Sequence, residues 1–254
     1  MLTGTPCKAA ISITDFDVAF TENFDTLASS ATSSLLPTGW AFAESGTDAN
    51  TTYTGGTGSS NVGDTYSFGS ASSTERALGG LRTGSLVPTF GVEIGNGTTS
   101  IISEFTISYV GEQWRFGGTG SGRGSDAPDR LDFQYSLDAT SLITGDWIDF
   151  DQLDFSSPVF SGGTGLLDGN ANANRTALSA TLGGLSLDPN ASIWLRWVDF
   201  NVTGFDDGLA VDNFSITAVP ESPRWGTLSA VCLGALFCLT FWREHRSSLQ
   251  IRRT

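Results

Sequence analysis

Asp168, Asn170 and Asn172 place three oxygen-bearing side chains at alternate positions. Hard cations such as Ca2+ take carboxylate and carboxamide oxygens, and this spacing matches positions 1, 3 and 5 of an EF-hand loop. The rest of that loop is missing. Ala173 stands where the sharp turn needs Gly, and Ser179 where the bidentate Glu belongs. The stretch is either an irregular Ca2+ loop or an Asn-rich turn.

Catalytic constellations are few. The sole histidine, His245, lies beyond the hydrophobic stretch near the C-terminus, which removes Ser-His-Asp, Cys-His and His-ligated metal chemistry from the preceding 219 residues. Gly117–Gly124 carries no phosphate-binding or nucleophile-elbow pattern and reads as a loop. Two acids suffice for a glycosidase, and Asp149 and Asp151 fall on one face of a strand, with Asp146 and Asp154 nearby. Their alternation with Trp147, Ile148 and Phe150 also fits a plain solvated face.

Ligand recognition is the other chemistry on offer. Trp supplies a flat apolar face and Arg a planar donor fork. Trp114, Arg115, Trp194, Arg196 and Trp197 are the candidates for a sugar or peptide face, set against the ordinary use of Trp as core.

The elements that must hold these residues are strands. Leu131, Phe133, Tyr135 and Leu137 alternate with Asp132, Gln134, Ser136 and Asp138, the pattern of a half-buried strand. Phe105, Ile107 and Tyr109 alternate likewise, and the phase then flips to Trp114 and Phe116 across Gly111, which predicts a bulge there. Further strands are expected at 11–20, 65–68, 78–83, 89–94, 147–150, 176–182, 193–200 and 209–217. The 193–200 segment carries large apolar groups on both faces and should be central. About ten strands between Gly- and Ser-rich turns predict an all-β fold, a two-sheet β-sandwich closed as a jelly roll.

Charge is unevenly distributed over the 254 residues. Residues 1–219 hold 25 acidic and 8 basic side chains, a net −17, whereas 220–254 hold two Glu and five Arg. A surface this acidic disfavours nucleic acid as a partner. Cys7, Cys232 and Cys238 give no disulfide framework, so a core or bound ions must hold the fold. Trp225 to Trp242 is an uncharged apolar run. As a helix it would rise about 27 Å, close to the hydrocarbon thickness of a bilayer. Arg243, Arg246, Arg252 and Arg253 follow it. By the positive-inside bias the tail is cytoplasmic and the N-terminal domain lies outside.

Val219, Pro220, Glu221, Ser222 and Pro223, with the apolar span and Arg cluster behind them, resemble the PEP-CTERM sorting signal of Gram-negative bacterial surface proteins. Ser222 stands where that motif has its second Pro. The resemblance implies export, insertion as a single-pass inner-membrane protein, then processing by an exosortase-like enzyme and release to the cell surface. No apolar export signal begins the chain, and residues 1–9 read as the remnant of a signal peptide. The ectodomain is expected at 10–218, a Pro-containing linker at 219–224, the membrane helix at 225–242 and a basic tail at 243–254.

Glu22 to Asp25, Leu36 to Trp40 and Asp206 to Phe214 resemble jelly-roll modules of concanavalin-like or galactose-binding-like shape, found in bacterial surface proteins and adhesins. Gly111 to Arg115 and Asp168 to Arg175 resemble an uncharacterised surface domain that occurs beside sorting tails. The likeness implies that first and last strands meet around a structural Ca2+, with Glu22 and Asp25 facing Asp207 and Asp212. The alternative for Asp212 is a turn cap. The function expected is a non-enzymatic surface or extracellular-matrix protein, glycan-binding or adhesive, with extracellular polysaccharide as its partner. The rival is a carboxylate-dependent glycan hydrolase on a concanavalin-like sandwich.

Overall fold

In a computed structural model the chain divides into a compact unit, Met1–Pro220, and a segment from Glu221 onward. The structure describes residues 10–119 and 128–221. The expected membrane helix, the basic tail, the signal-peptide remnant, the three cysteines, Ser222 and Pro223 lie outside them. Among the described residues no helix is long and apolar enough to cross a membrane.

The architecture is all-β and built of two sheets. The smaller has seven strands. Its centre is Leu86–Asn96 beside Ser192–Asp199 beside Arg130–Ser136, all antiparallel. Trp40–Gly46 pairs antiparallel with the outer edge of Leu86–Asn96, and Ile11–Ile13 pairs parallel with it. The larger sheet has nine strands. Its spine is Ile102–Phe116 paired with Gly208–Ala218, continuing through Ala77–Leu81 and Asp64–Phe68. Arg175–Leu187 covers the other edge of Ile102–Phe116, and Ala19–Glu22 pairs with the end of Gly208–Ala218.

Alternating apolar residues from both sheets meet in one core. Phe90, Val92, Leu131, Phe133, Ile193, Leu195 and Trp197 of the smaller sheet face Phe105, Ile107, Tyr109, Leu209, Val211, Phe214 and Ile216 of the larger. Trp197 is the hub. Its ring stacks on Trp40 and Phe90 and meets Tyr109, Phe133 and Phe214 edge to face. The Ser192–Asp199 strand is central as expected, because a second cluster of Ala41, Ala43, Ala139 and Leu142 covers Trp194 on its other face.

The phase flip has a different cause from the bulge expected at Gly111. Pairing with Arg175–Leu187 runs through Gly111 without a shift. Both faces of the Ile102–Phe116 strand are buried there, since Trp114 joins Tyr66, Phe68, Ala77, Leu81 and Ala210 in a separate cluster. Gly169 closes over that indole, where a Cβ would lie 2.3 Å from the ring, and Gly58 packs on the Trp114 main chain, where a Cβ would lie 1.9 Å from its carbonyl oxygen. Gly111 itself makes room for Phe155 of the facing sheet. The register shifts of this strand occur against Gly208–Ala218, between Gly208 and Leu209 and between Asp212 and Ser215. At the second, Asn213 adopts φ 49°. The extra residue returns Phe214 to the core and leaves Asp212 on the outer face.

Candidate functional site

The tryptophans of the expected ligand face are structural. Trp114, Trp194 and Trp197 are 1%, 1% and 0% exposed, so none can stack on a ligand. Arg196 is committed as well. Its guanidinium lies 3.8 Å over the Trp147 ring and donates to Gln134 Oε1 and to the Leu142 carbonyl. Burial lowers its pKa to about 10, against the raising charges of Asp132 and Asp149. Asp149 and Asp151 are exposed, and Asp149 accepts from Gln134 Nε2 at 2.8 Å.

Arg115 is the one member of that set placed at a cavity. A cleft of about 450 Å3 opens at the end of the larger sheet. Arg82, Arg115 and Asp206 line it, with Asn61, Thr83 and Phe205. Arg115 Nη1 donates to the carbonyls of Gly58 and Ser59, which fixes the guanidinium at the wall. Arg82 Nη1 donates to the Asp199 carbonyl. Phe205 is 64% exposed. Of these lining residues the sequence singled out Arg115 alone; Arg82 carried no signal, and Phe205 sits in a polar loop, which gave no pattern to read.

Behind this cleft lie three buried acids. Asp129, Asp199 and Asp206 bring carboxylate oxygens within 4.8 Å of one another. Asp129 accepts the main-chain N–H groups of Arg130 and Asp207, Asp199 that of Arg82, and Asp206 that of Val202. Burial pushes Asp129 up to about 8 and Asp206 to about 6, and it drives Asp199 well above the usual carboxylate range. The neighbouring negative charges add to each shift.

A second acidic group forms where Gly208–Ala218 crosses Ile102–Phe116. Glu75, Glu112 and Asp212 hold oxygens within 4.8 Å of one another. Glu112 is 0% and Asp212 4% exposed. Burial, followed by the charges of Asp212 and Glu75, raises Glu112 to about 8, and burial followed by Glu75 and Asp25 raises Asp212 to about 7. Glu112 Oε2 accepts from Trp114 Nε1, Asp212 Oδ2 from Asn213 Nδ2 at 2.5 Å, and Glu75 Oε2 from Asn170 Nδ2 at 2.5 Å.

The expected Ca2+ ligands are therefore regrouped. Asp212 meets Glu75 and Glu112, with Asp25 near enough for its charge to raise Asp212, while Glu22 and Asp207 hold other partners. Glu22 Oε1 accepts the Phe24 N–H, and Asp25 accepts from Asn23 and from the Arg76 N–H. Asp207 is fully buried, its two oxygens taken by Gly117 N–H and Gln113 Nε2. The 168–172 loop does not gather its oxygens on one point. Asp168 Oδ1 accepts the Asn170 N–H, Asn172 Oδ1 accepts from Arg175, and Asn170 turns to Glu75. Glu75 and Glu112 left one trace in the sequence: Glu112 falls inside the doubly buried stretch beside Trp114.

No protein-family model and no curated protein sequence matches the chain. Several solved structures are similar in shape. The K2 cleaved adhesin domain of Lys-gingipain is 14% identical, over 78% of this chain and 97% of that one, with a TM-score of 0.41. The CBM22-1 xylan-binding domain of Paenibacillus barcinonensis Xyn10C is 11% identical, over 84% and 100%, with a TM-score of 0.29. The isomalto-dextranase of Arthrobacter globiformis T6, complexed with panose, is 13% identical, over 82% of this chain and 33% of that one, with a TM-score of 0.32. No residue role is carried over from any of them.

Proposed function

We propose that residues 10–218 are a non-catalytic glycan-binding module on a jelly-roll sandwich, and that the cleft at Arg82, Arg115 and Phe205 is its sugar-contacting face. The lining of that cleft carries the reading. A pyranose offers an apolar C–H face and a rim of hydroxyls. An exposed aromatic ring suits the first, and fixed planar guanidinium donors with amide and hydroxyl groups suit the second. Arg115, Arg82, Asn61, Thr83 and Thr164 supply those donors and acceptors around Phe205. The volume of about 450 Å3 is in the range of small-ligand sites. Hydrolysis needs two acids flanking the bound sugar. Among the described residues lining the cleft, Asp206 is the one carboxylate, and Asp149 and Asp151 are not among them. This lining supports binding over turnover.

In the same proposal the C-terminal segment supplies the address. The apolar run from Trp225 to Trp242 inserts in the inner membrane with the Arg-rich tail in the cytoplasm, and the Val219 to Pro223 stretch serves an exosortase-like enzyme. The domain then reaches the cell surface or matrix, where polysaccharide is its partner. A glycan array probed with the full chain tests the binding. A reducing-sugar assay on the bound glycans tests the turnover. Capture of one sugar class with no released ends supports the reading, and an array without signal contradicts it.

A further inference from the structure

The outer face of the larger sheet holds an arrangement of acids that protein contacts leave half satisfied. Glu112 Oε1, Asp212 Oδ1 and Glu75 Oε1 are buried and have no hydrogen-bond partner, while the second oxygen of each residue accepts a side-chain N–H. We infer that Glu75, Glu112 and Asp212 are ligands of a structural divalent cation of the hard, oxygen-seeking class, with Ca2+ as its natural member.

Three observations converge on this. First, a carboxylate buried with an unpartnered oxygen carries a desolvation cost that no contact offsets, and here three such oxygens occur on neighbouring residues. Second, the ligand oxygens lie within 4.8 Å of one another, within the width of a Ca2+ shell whose bonds are about 2.3–2.6 Å. Third, the N–H donors orient the group. Trp114 Nε1 holds Glu112 at 2.9 Å, Asn213 holds Asp212, and Asn170 holds Glu75. Outer-sphere donors of this kind set ligand direction at metal centres. The donor set is all oxygen, which selects Ca2+ or Mg2+ over Zn2+ and Cu2+. Arg175 is the cation whose charge lowers both Glu112 and Asp212, and its side chain is exposed and bonded to Asn172. It does not neutralise three acids.

The site ties together parts of the chain far apart in sequence. Glu75 precedes the Ala77–Leu81 strand, Glu112 and Asp212 lie on the two spine strands, and Asn170 belongs to the 168–172 loop. An ion there would clamp that loop and the Glu75 loop onto the sheet, over the Trp114 cluster.

The test is Tb3+ and Ca2+ titration of the full chain. Tb3+ replaces Ca2+ at oxygen sites, and Trp114, bonded to a ligand, should sensitise its emission. The expected result is saturable emission, displaced by Ca2+ with a Kd on the order of 10⁻⁴–10⁻³ M, the range of extracellular modules. Glu112→Gln and Asp212→Asn should each weaken Ca2+ by more than about tenfold, a loss that even outer-sphere changes can produce. Neither change should unfold the protein: in chelator Glu112→Gln should melt higher than wild type, because the cost of burying an ionisable carboxyl among other acids is gone. Asp199→Asn should leave Ca2+ affinity unchanged. Equal melting in Ca2+ and chelator, or loss of the Ca2+ effect in Asp199→Asn but not in Glu112→Gln, would overturn the assignment.

Discussion

The main-chain N–H of Asp207 donates to Asp129 Oδ2 across 2.6 Å. Asp129 immediately precedes the Arg130–Ser136 strand of the smaller sheet, and Asp207 the Gly208–Ala218 strand of the larger. This hydrogen bond, with those of Arg82 to Asp199, joins the two sheets behind the cleft. The Asp207 carboxylate extends the link to the Gly117 N–H and to Gln113. The cost is a cluster of acids with little water around them.

That cost has a sign. The carboxyls of Asp129, Asp199 and Asp206 are all raised in the folded state, so between pH 4 and 8 the folded chain binds more protons than the unfolded one. Stability then falls as pH rises through this window, and it is greatest near the unfolded carboxylate pKa. In chelator the denaturation midpoint should drop from pH 5 to pH 8. Asp199→Asn should flatten that slope and raise the midpoint at pH 8. A stability that climbs steadily from pH 5 to pH 8 would contradict the buried-acid arrangement.

Trp197 joins the two sheets through five ring contacts. Trp197→Ala should cost about 3–5 kcal/mol, read as a fall in the urea midpoint at unchanged slope. Trp147, which covers Arg196 at the rim of the smaller sheet, should be far more tolerant. Its Ala variant should lose no more than about 1–2 kcal/mol, the scale of a partly desolvated cation–π contact.

Gly111 is a packing glycine. A Cβ there would stand 2.3 Å from the Phe155 ring, so Gly111→Ala should cost about 1–3 kcal/mol by overpacking. Pairing it with Phe155→Leu, which shrinks the facing ring, should recover part of the loss. Additive effects in that double-mutant cycle would argue against direct contact.

The tail makes a separate prediction. Full-length protein expressed with an exosortase should be found first in the inner membrane, then in the outer fraction with a C-terminus near Pro220. Deleting 225–254 should abolish the membrane stage. Recovery of the intact chain from the cytosol would contradict insertion.

Much of this architecture was legible in the residues. The alternation over Leu131 to Tyr135 marked a half-buried strand, and two apolar faces marked Ser192–Asp199 as central. What stayed hidden depends on register. Glu75, Glu112 and Asp212 meet because Ala77–Leu81 and Ile102–Phe116 flank Gly208–Ala218 with particular offsets, and pairing offsets leave no local signature. Trp114 and Trp194 were candidates for a ligand face, set against the ordinary use of Trp as core, and their burial follows the second reading. Loops bury the outer faces of both sheets at those points, which period-two patterning cannot anticipate. Only Arg115, at the edge of the covered region, retained access to a cleft.

Isothermal calorimetry on the full chain, titrated with the oligosaccharide class captured by the array, tests the central claim most directly. Wild type should bind with measurable heat and leave the sugar intact. Arg115→Ala and Phe205→Ala should each weaken binding by about 1–3 kcal/mol, on the scale of losing a charge-assisted hydrogen bond or an aromatic contact, while Asp149→Ala and Asp151→Ala should bind as wild type does. Unchanged affinity in Arg115→Ala and Phe205→Ala, or cleavage of the sugar during the titration, would contradict a non-catalytic sugar site in this cleft.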